Sequence, residues 1–518
     1  MLSLFDLSPS AAGLLLGVVC IIVLAYRVVS ASSDIRLPPG PKRLPILGNV
    51  HQLPAKYQER KFELWGRQYG KIIFAKLFRT PALIISSFDV AHDLMEKRSR
   101  NYSGRPRFIL LEELMGWKRA LSQADYNDQF RLQRKWMQEA LQTRESLESY
   151  RSLRLRETSI ALAGLLASPS EFVAHFTRYS AATIIDITYG HQVTSDDDML
   201  IGIAERAATA TVTAGSPGSM LVDFFPILRH LPLWMPGSGF LSRAREVEKL
   251  VRELYDVPYN MVRKQMAAGT ARPSLTAKFL EDCGEGENLS QFHEECIKGA
   301  VATLYGAGTE TTATVMISFV LAMTLYPEVY KKLQEEIDQT IGPERLPDLD
   351  DKNSLPYLEC VLKEVYRWHP PVPLGIPHAV HKDDEYNGYK LPAGSMLIGN
   401  IWAMSRDAAV YHDPEQFLPE RFEKSDDAVL DPRNIVFGFG RRRCPGAEFA
   451  DQNVFLLAAC MAATMNISKA KDDQGVDITP AATFTSGFVS RPEPFQCVIT
   501  PRSQKAIELI TQMGVVNA

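Results

Sequence analysis

The chain has 518 residues, 46% of them hydrophobic and 23% charged, with a formal net charge of −4. That composition is ordinary for a globular protein, and the slight acidic balance excludes a dedicated nucleic-acid binder, which needs a basic excess. The length admits one large domain or two to three ordinary ones.

In chain order, the first feature is an uncharged run from Ala11 to Tyr26, "AAGLLLGVVCIIVLAY". With its flanks it approaches the roughly 20 residues that a membrane span requires. A cleavable signal peptide is the rival reading, but such peptides carry positive charge before the apolar run. Here Asp6 precedes it, and Arg27, Arg36, Lys42 and Arg43 follow. The charge asymmetry therefore predicts a retained anchor over residues 1–30, with the bulk of the chain on the cytoplasmic side. The sequons at Asn101, Asn288 and Asn466 would then never meet the glycosylation machinery. "LPPGPKRLPILGN" (Leu37 to Asn49) closes a stiff, extended hinge over residues 31–49, because its prolines fix φ and disfavour helix. No second linker or repeat follows, so residues 50–518 read as one large domain.

Most of that domain reads as helix, with apolar residues recurring at three and four. The spacing predicts helices from Tyr57 to Tyr69, Val90 to Lys97, Asn127 to Leu141, Ser146 to Ala167, Phe172 to Tyr189, Ala244 to Ala268 and Pro327 to Ile341. Pro258 is expected to kink or split the sixth of these. Strands are expected in "KIIFAKL", "ALIISS", "AVHKDDEYNGYKLPAGSMLIGN" and "FQCVIT", with "YNGY" a hairpin turn. The fold class is mainly α with small antiparallel β-sheets.

Seven cysteines are odd in number and scattered, with no CxxC pair, so they read as reduced thiols. Six fit as small buried hydrophobes. Cys444 differs. It lies in "FGFGRRRCPG" (Phe437 to Gly446), just before a long apolar stretch, "EFADQNVFLLAACMAATMNI", that reads as helix. The helix dipole and the arginines predict a lowered thiol pKa, and freed backbone N–H groups can bond the sulfur. A thiolate made this way is a nucleophile or a metal ligand. A lone thiolate makes a poor zinc site, which needs four ligands, but a good axial ligand for haem iron.

Three further stretches carry chemistry. "ECIKGAVATLYGAGTETTATVMISFVLAMTLYP" reads as one helix of roughly 30 residues capped by Ser290. Its middle holds Gly306, Gly308, Glu310, Thr311 and Thr312, which is costly in a buried apolar helix unless the site is used. A packing contact is the plain alternative. In "LKEVYRWHPP", Glu364 and Arg367 share a helix face, although such pairs are common on exposed surfaces. "DPEQFLPERF" adds Arg421.

The set Phe437, Gly440, Arg442, Cys444 and Gly446 resembles the haem-binding loop of the cytochrome P-450 superfamily, microsomal type, and the whole chain is similar in texture to fungal secondary-metabolism and xenobiotic-oxidising members. The resemblance implies the cytochrome P-450 fold and haem b, its iron held by Cys444. It implies that Phe437 packs beside the loop, Gly440 and Gly446 permit its bends, and Arg442 meets a haem propionate. "AGTETT" resembles the oxygen-activating groove, so Glu310 and Thr311 would relay protons during oxygen activation. Glu364, Arg367 and Arg421 would form a buried cluster supporting the cysteine loop. His378 in "IPHAV" stands at a propionate-binding position, with a strand-edge histidine as alternative. Arg134 in "NDQFRLQRK" fits a WxxxR helix in which Phe130 takes the tryptophan position and has no N–H to offer a propionate. A solvated helix face is the alternative for Arg134.

By the same resemblance the chain is an NADPH-dependent monooxygenase served by a separate NADPH-cytochrome P-450 reductase, with cytochrome b5 as an optional second donor, in the endoplasmic reticulum membrane. No dinucleotide fingerprint or flavin domain is present to replace that partner. Arg441, Arg443, Arg131 and Lys135 offer a basic face for it, or merely a solvated one. Gly104 to Ala124, Ala302 to Gly306, Val372 to Ile376 and Phe484 to Val489 would wall an apolar pocket for a terpenoid, steroid, polycyclic aromatic or indole. A peroxide-driven haem-thiolate enzyme and a non-enzymatic haem sensor are the rival functions.

Overall fold

The computed structural model describes residue 17 and residues 36–195, 197–215, 221–284, 289–423 and 429–517. The expected anchor, Gly17 apart, and the sequon at Asn288 lie outside the described residues.

The proline-rich segment does not stand free of the domain. After it come α1 (Gln58–Tyr69), β1 (Ile72–Leu77) and β2 (Thr80–Ile85). Pro39 O accepts from Phe74 N at 3.0 Å. Asn49 N donates to Lys76 O at 2.6 Å, and its side chain accepts from Lys76 N at 2.9 Å. The stretch therefore lies along the free edge of β1 and covers groups that would otherwise be unpaired.

The next helices are α2 (Asp128–Leu141), α3 (Arg151–Ala167), α4 (Phe172–Tyr189), α5 (Met199–Ala214), α6 (Gly239–Ala267) and α7 (Leu275–Cys283). Asn127 caps α2 by accepting from Phe130 N at 2.9 Å. The helix expected from Ser146 to Ala167 is two, Arg144–Ser149 and α3, broken at Tyr150. There the ring turns edge-on to Phe449 at 5.8 Å. Helix α6 is continuous through Pro258, which is buried; packing of this long amphipathic helix outweighs the one missing hydrogen bond. Val90 to Lys97 forms a short α-turn, Phe88–Ala91, that widens into a π-helix, His92–Lys97. Apolar spacing alone did not mark α5 or α7.

Helix α8 (Gln291–Leu325) spans the molecule, capped by Ser290, whose hydroxyl accepts from His293 N at 3.2 Å. It joins two apolar cores: Cys296 to Tyr305 contribute to one, Ala313 to Met323 to the other. A Cβ on Gly308 would lie 2.6 Å from Ile184 Cγ1, so the mid-helix glycine lets α4 and α8 approach closely. Among the described residues α8 alone is long and apolar enough to cross a membrane, and it is mostly buried core.

Then follow α9 (Pro327–Thr340), α10 (Pro356–Trp368), β3 (His378–Ala379), β4 (Asp384–Tyr386), β5 (Tyr389–Leu391), β6 (Met396–Gly399), α11 (Ile401–Met404), α12 (Ala447–Thr464), β7 (Met465–Lys471), β8 (Asp477–Ile478), β9 (Cys497–Pro501) and α13 (Gln504–Asn517). The main sheet runs β1-β2-β6-β3, and its β2–β6 pairing is parallel. The other strand pairings among the described residues are antiparallel. In "YNGY", Tyr386 pairs with Tyr389 while Asn387 (φ 51) and Gly388 (φ 76) turn the hairpin. The helix expected to run to Ile467 stops at Thr464, because Met465 to Lys469 pair with Cys497 to Pro501. Helix α13 was likewise not marked by spacing.

Candidate active site

Where α8 passes between the two cores it is open. Gly306, Ala307 and Glu310 are exposed, Gly308 and Thr311 half-buried, and Thr309 and Thr312 buried. A buried glutamate is what the apolar helix led one to expect. Glu310 is instead accessible but recessed, and the surrounding protein raises its pKa above the ordinary carboxylate range. Arg491 acts against that shift and Glu205 with it, so both charges lie within electrostatic reach of the carboxyl. Thr311 Oγ1 donates to Ala307 O at 2.9 Å, which leaves its lone pairs as acceptors.

The cysteine loop is a tight turn ahead of α12. Cys444 N donates to Phe437 O at 2.7 Å, closing the loop on itself. Gly440 is left-handed (φ 53), and a Cβ there would lie 2.2 Å from Met95 O of the π-helix, so only glycine fits. Tyr366 packs edge-on to Phe437 at 5.5 Å. The dipole-and-arginine argument predicts a lowered thiol pKa; in the fold, burial outweighs it and the thiol's pKa is raised. The Gly446 backbone, Arg134 and Arg443 oppose that shift. These three are the groups that would hold a thiolate once a cation replaces the proton. No cluster of three or more His, Cys, Asp or Glu suited to a metal exists among the described residues.

Beside the loop lies a pocket of positive charge. Arg442 Nε donates to Ser103 O at 2.8 Å, while Nη1 and Nη2 are buried with no hydrogen-bond partner. Burial brings the Arg442 pKa down to about 10. Arg105, not identified from sequence, shares the pocket: burial and then the charge of Arg442 push its pKa well down. Its Nη1 donates to Ile376 O (2.8 Å) and Pro377 O (2.7 Å). His378 is buried, with Nδ1 2.7 Å from Tyr102 O; burial and Arg105 keep it neutral. Asp125 is the acid that offsets these charges. Arg134 points to the cysteine loop, where its Nη1 donates to Arg443 O. Buried guanidinium groups without partners call for an anion.

The Glu–Arg–Arg set converges. Glu364 and Arg367 are fully buried and paired in two bonds of 2.7 Å. Arg421 Nε reaches Glu364 at 3.2 Å. Arg367 also donates to Ser405 O, Pro414 O and Gln416 O, and Leu418 N donates to Glu364. The ion cluster thereby staples the segment from Ser405 to Arg421 onto α10.

The family model for cytochrome P-450 matches residues 38–499. The chain belongs to the cytochrome P-450 family. It is 45% identical to cytochrome P-450 monooxygenase 176 of Postia placenta, over 96% of each chain. It is 42% identical to cytochrome P-450 monooxygenase claR of Ampulloclitocybe clavipes, over 96% of this chain and 92% of that one. Membership makes the protein an oxidoreductase of the monooxygenase type and implies a haem–thiolate cofactor. The residues present fit that group: one half-buried cysteine on a glycine-bent loop, and beside it two arginine nitrogens awaiting carboxylates.

In this P-450 the expected wall segments are tied together. Arg105 joins the first to Ile376, Leu121 N donates to Thr303 Oγ1 of α8 at 2.9 Å, and Ser490 N donates to Pro371 O at 2.8 Å. Arg131, Lys135 and Arg441 rim one surface recess of about 250 Å³. Arg131 is paired with Asp128 and Lys135 lies 3.8 Å from Glu139, so their charge is partly neutralised. Arg441 is exposed and bonds Tyr126 OH at 2.7 Å.

Proposed function

We propose that this chain is a membrane-anchored haem-thiolate monooxygenase that inserts one oxygen atom into a hydrophobic small molecule, with electrons from NADPH through a separate reductase. Cys444 would ligate the iron of haem b, Arg442 and Arg105 would receive the propionates, and His378, whose Nδ1–H is given to Tyr102 O, would join them through Nε2 once a propionate's negative charge lets the ring take a second proton. The observation that carries the reading is the pair of orphaned Arg442 nitrogens next to the Cys444 loop.

Haem, when bound, supplies the oxygen activation. The chain's part is to position substrate, exclude water and deliver protons. Glu310 stores a proton at its carboxyl, and Thr311 Oγ1 accepts and passes protons beside the exposed turn of α8. Arg134 holds the loop backbone, Phe437 and the left-handed Gly440 shape the turn, Gly446 (φ −90, with room for a Cβ) imposes no bend on it, and Glu364, Arg367 and Arg421 would support it through the segment they staple to α10. Buried Phe108, Ile109, Leu110 and Leu111 favour an apolar ligand such as a terpenoid, steroid or polycyclic aromatic.

An exposed apolar patch supports the membrane reading. Leu44, Ile46 and Leu47 are exposed, as are Ile227 (73%) and Trp234 (80%). Phe78 joins the two groups: its N donates to Leu47 O at 3.2 Å and its ring lies 5.1 Å from Phe224 and from Phe225. Residues 1–30 as anchor and 31–49 as hinge would bring this face to the endoplasmic reticulum membrane, with residues 50–518 as the cytoplasmic catalytic domain. The exposed Arg441 side of the molecule is offered to the reductase or to cytochrome b5.

The test is spectral. Reduced protein with carbon monoxide is expected to show the red-shifted Soret band, and Cys444→Ala to lose it. Survival of the band in Cys444→Ala would mean another ligand. Turnover driven by peroxide, without NADPH and reductase, would replace the monooxygenase reading by a peroxygenase.

A further inference from the structure

The turn from Phe484 to Ser490 is held by groups outside the active site. Its stem is a narrow hairpin: Thr485 N donates to Arg491 O at 2.8 Å and Glu493 N to Thr483 O at 2.9 Å. Its tip is exposed at Gly487 and Phe488. Two tethers reach it. On one side His369 stacks face to face on Phe484 at 3.4 Å, and its Nε2 lies 2.8 Å from Ser490 Oγ. Ser490 gives its only proton to Thr485 O at 2.6 Å, so His369 Nε2 is the donor in that bond.

The second tether is Tyr57. Its hydroxyl donates to Phe484 O at 3.0 Å and its backbone N–H donates to Ser486 Oγ at 2.9 Å. To aim that N–H at the turn, Tyr57 adopts the left-handed conformation (φ 57, ψ 46), which a bulky residue rarely takes. The ring is fixed in turn. The Arg60 guanidinium lies 4.6 Å over Tyr57 and 5.4 Å over Trp402, and Trp402 Nε1 donates to Glu63 at 2.9 Å. Tyr57 is thus an arm braced on α1 and α11 and bonded at two points to one short turn.

We propose that Tyr57 is a positioning residue for substrate selection: it sets where the Ser486–Val489 tip stands without touching substrate. This rests on the monooxygenase reading, in which that tip walls the pocket. Arg491, at the foot of the same hairpin, acts on the charge of Glu310, so that foot lies within electrostatic reach of the α8 recess.

The test uses the full-length, haem-loaded enzyme and two single-atom variants, Tyr57→Phe and Ser486→Ala. Tyr57→Phe keeps the ring that Arg60 covers. Amide hydrogen exchange over residues 484–491 is expected to quicken about fivefold in each, the equilibrium equivalent of one ordinary hydrogen bond. Binding of 4-phenylimidazole, whose ring must fit the walls, is expected to shift at least about threefold while binding of imidazole itself is unchanged. Exchange and 4-phenylimidazole affinity both at wild-type values would overturn the proposal. So would faster exchange spread over the whole chain, which marks a merely structural residue. Absence of any Soret change with imidazole in the wild type would count against the haem reading, and the exchange measurement would still decide the tether.

Discussion

Arg442 lays its guanidinium 3.8 Å over the ring of Phe130 and leaves both terminal nitrogens without a hydrogen-bond partner. Phe130 stands where the resemblance leads one to expect tryptophan. The phenyl ring cannot donate a hydrogen bond, but it supports the arginine through its π face. Phe130→Leu is expected to cost about 1 kcal/mol at this contact and to speed haem loss about fivefold, measured by transfer to apomyoglobin. Arg442→Leu removes the donors themselves, and a drop in haem affinity of about a hundredfold is expected. Unchanged haem retention in both would remove the propionate assignment.

Glu364 pairs with both Arg367 and Arg421, all three buried. Glu364→Gln keeps the shape and deletes the charge. The two buried arginines then lose their shared counter-ion, a loss of about 3–5 kcal/mol. Protein lacking the red-shifted carbon monoxide band is the expected product. Stoichiometric haem in Glu364→Gln would show that the cluster does not support the loop.

Thr311→Ala is expected to keep the carbon monoxide band and to release reducing equivalents as peroxide. Full coupling in that variant would refute the proton relay. Glu310 adds a pH dependence. Its pKa is raised by the protein around it, so it holds its proton above the usual carboxylate range of about 4.3. Coupling is therefore expected to be highest below the raised pKa and to fall as pH rises through it. Glu310→Gln should abolish that limb.

His369 is kept neutral by burial and by Arg406 and Arg60, with its pKa well below the ordinary 6.5. In the unfolded chain it takes a proton near pH 6.5. The lowered folded value means that stability is full above 6.5 and is lost as pH falls from there toward the folded pKa. Each unit of separation is worth about 1.4 kcal/mol. Urea unfolding between about pH 7.5 and 5 should show a shallower decline in His369→Gln than in the wild type. An identical slope would show that His369 contributes nothing to acid sensitivity.

The spacing of apolar residues was enough to place α4 from Phe172 to Tyr189, and the stretch around Cys444 was enough to mark a glycine-bent turn ahead of α12. Both signals are local: a helical face and a bent turn are written in neighbouring residues. The pairing of Glu364 with Arg367 was equally legible, three apart on one helix. Its weight was not, because burial and the third member, 57 residues away, depend on the fold.

The same limit explains what the sequence could not show. Arg105 sits in an irregular loop with no period to single it out, and only the fold sets it beside Arg442. The end of α12 at Thr464 was decided by pairing with Cys497 to Pro501, not by local preference. The thiol of Cys444 ran opposite to its local expectation, because burial by distant segments outweighed the helix end and the arginines. By itself the sequence determined the family, the tight cysteine turn and the long helix, since backbone periodicity and turn geometry act over a few residues. Only the tertiary structure decided which charges are buried, which are paired and which await a partner, since burial and electrostatic contact join residues hundreds of positions apart.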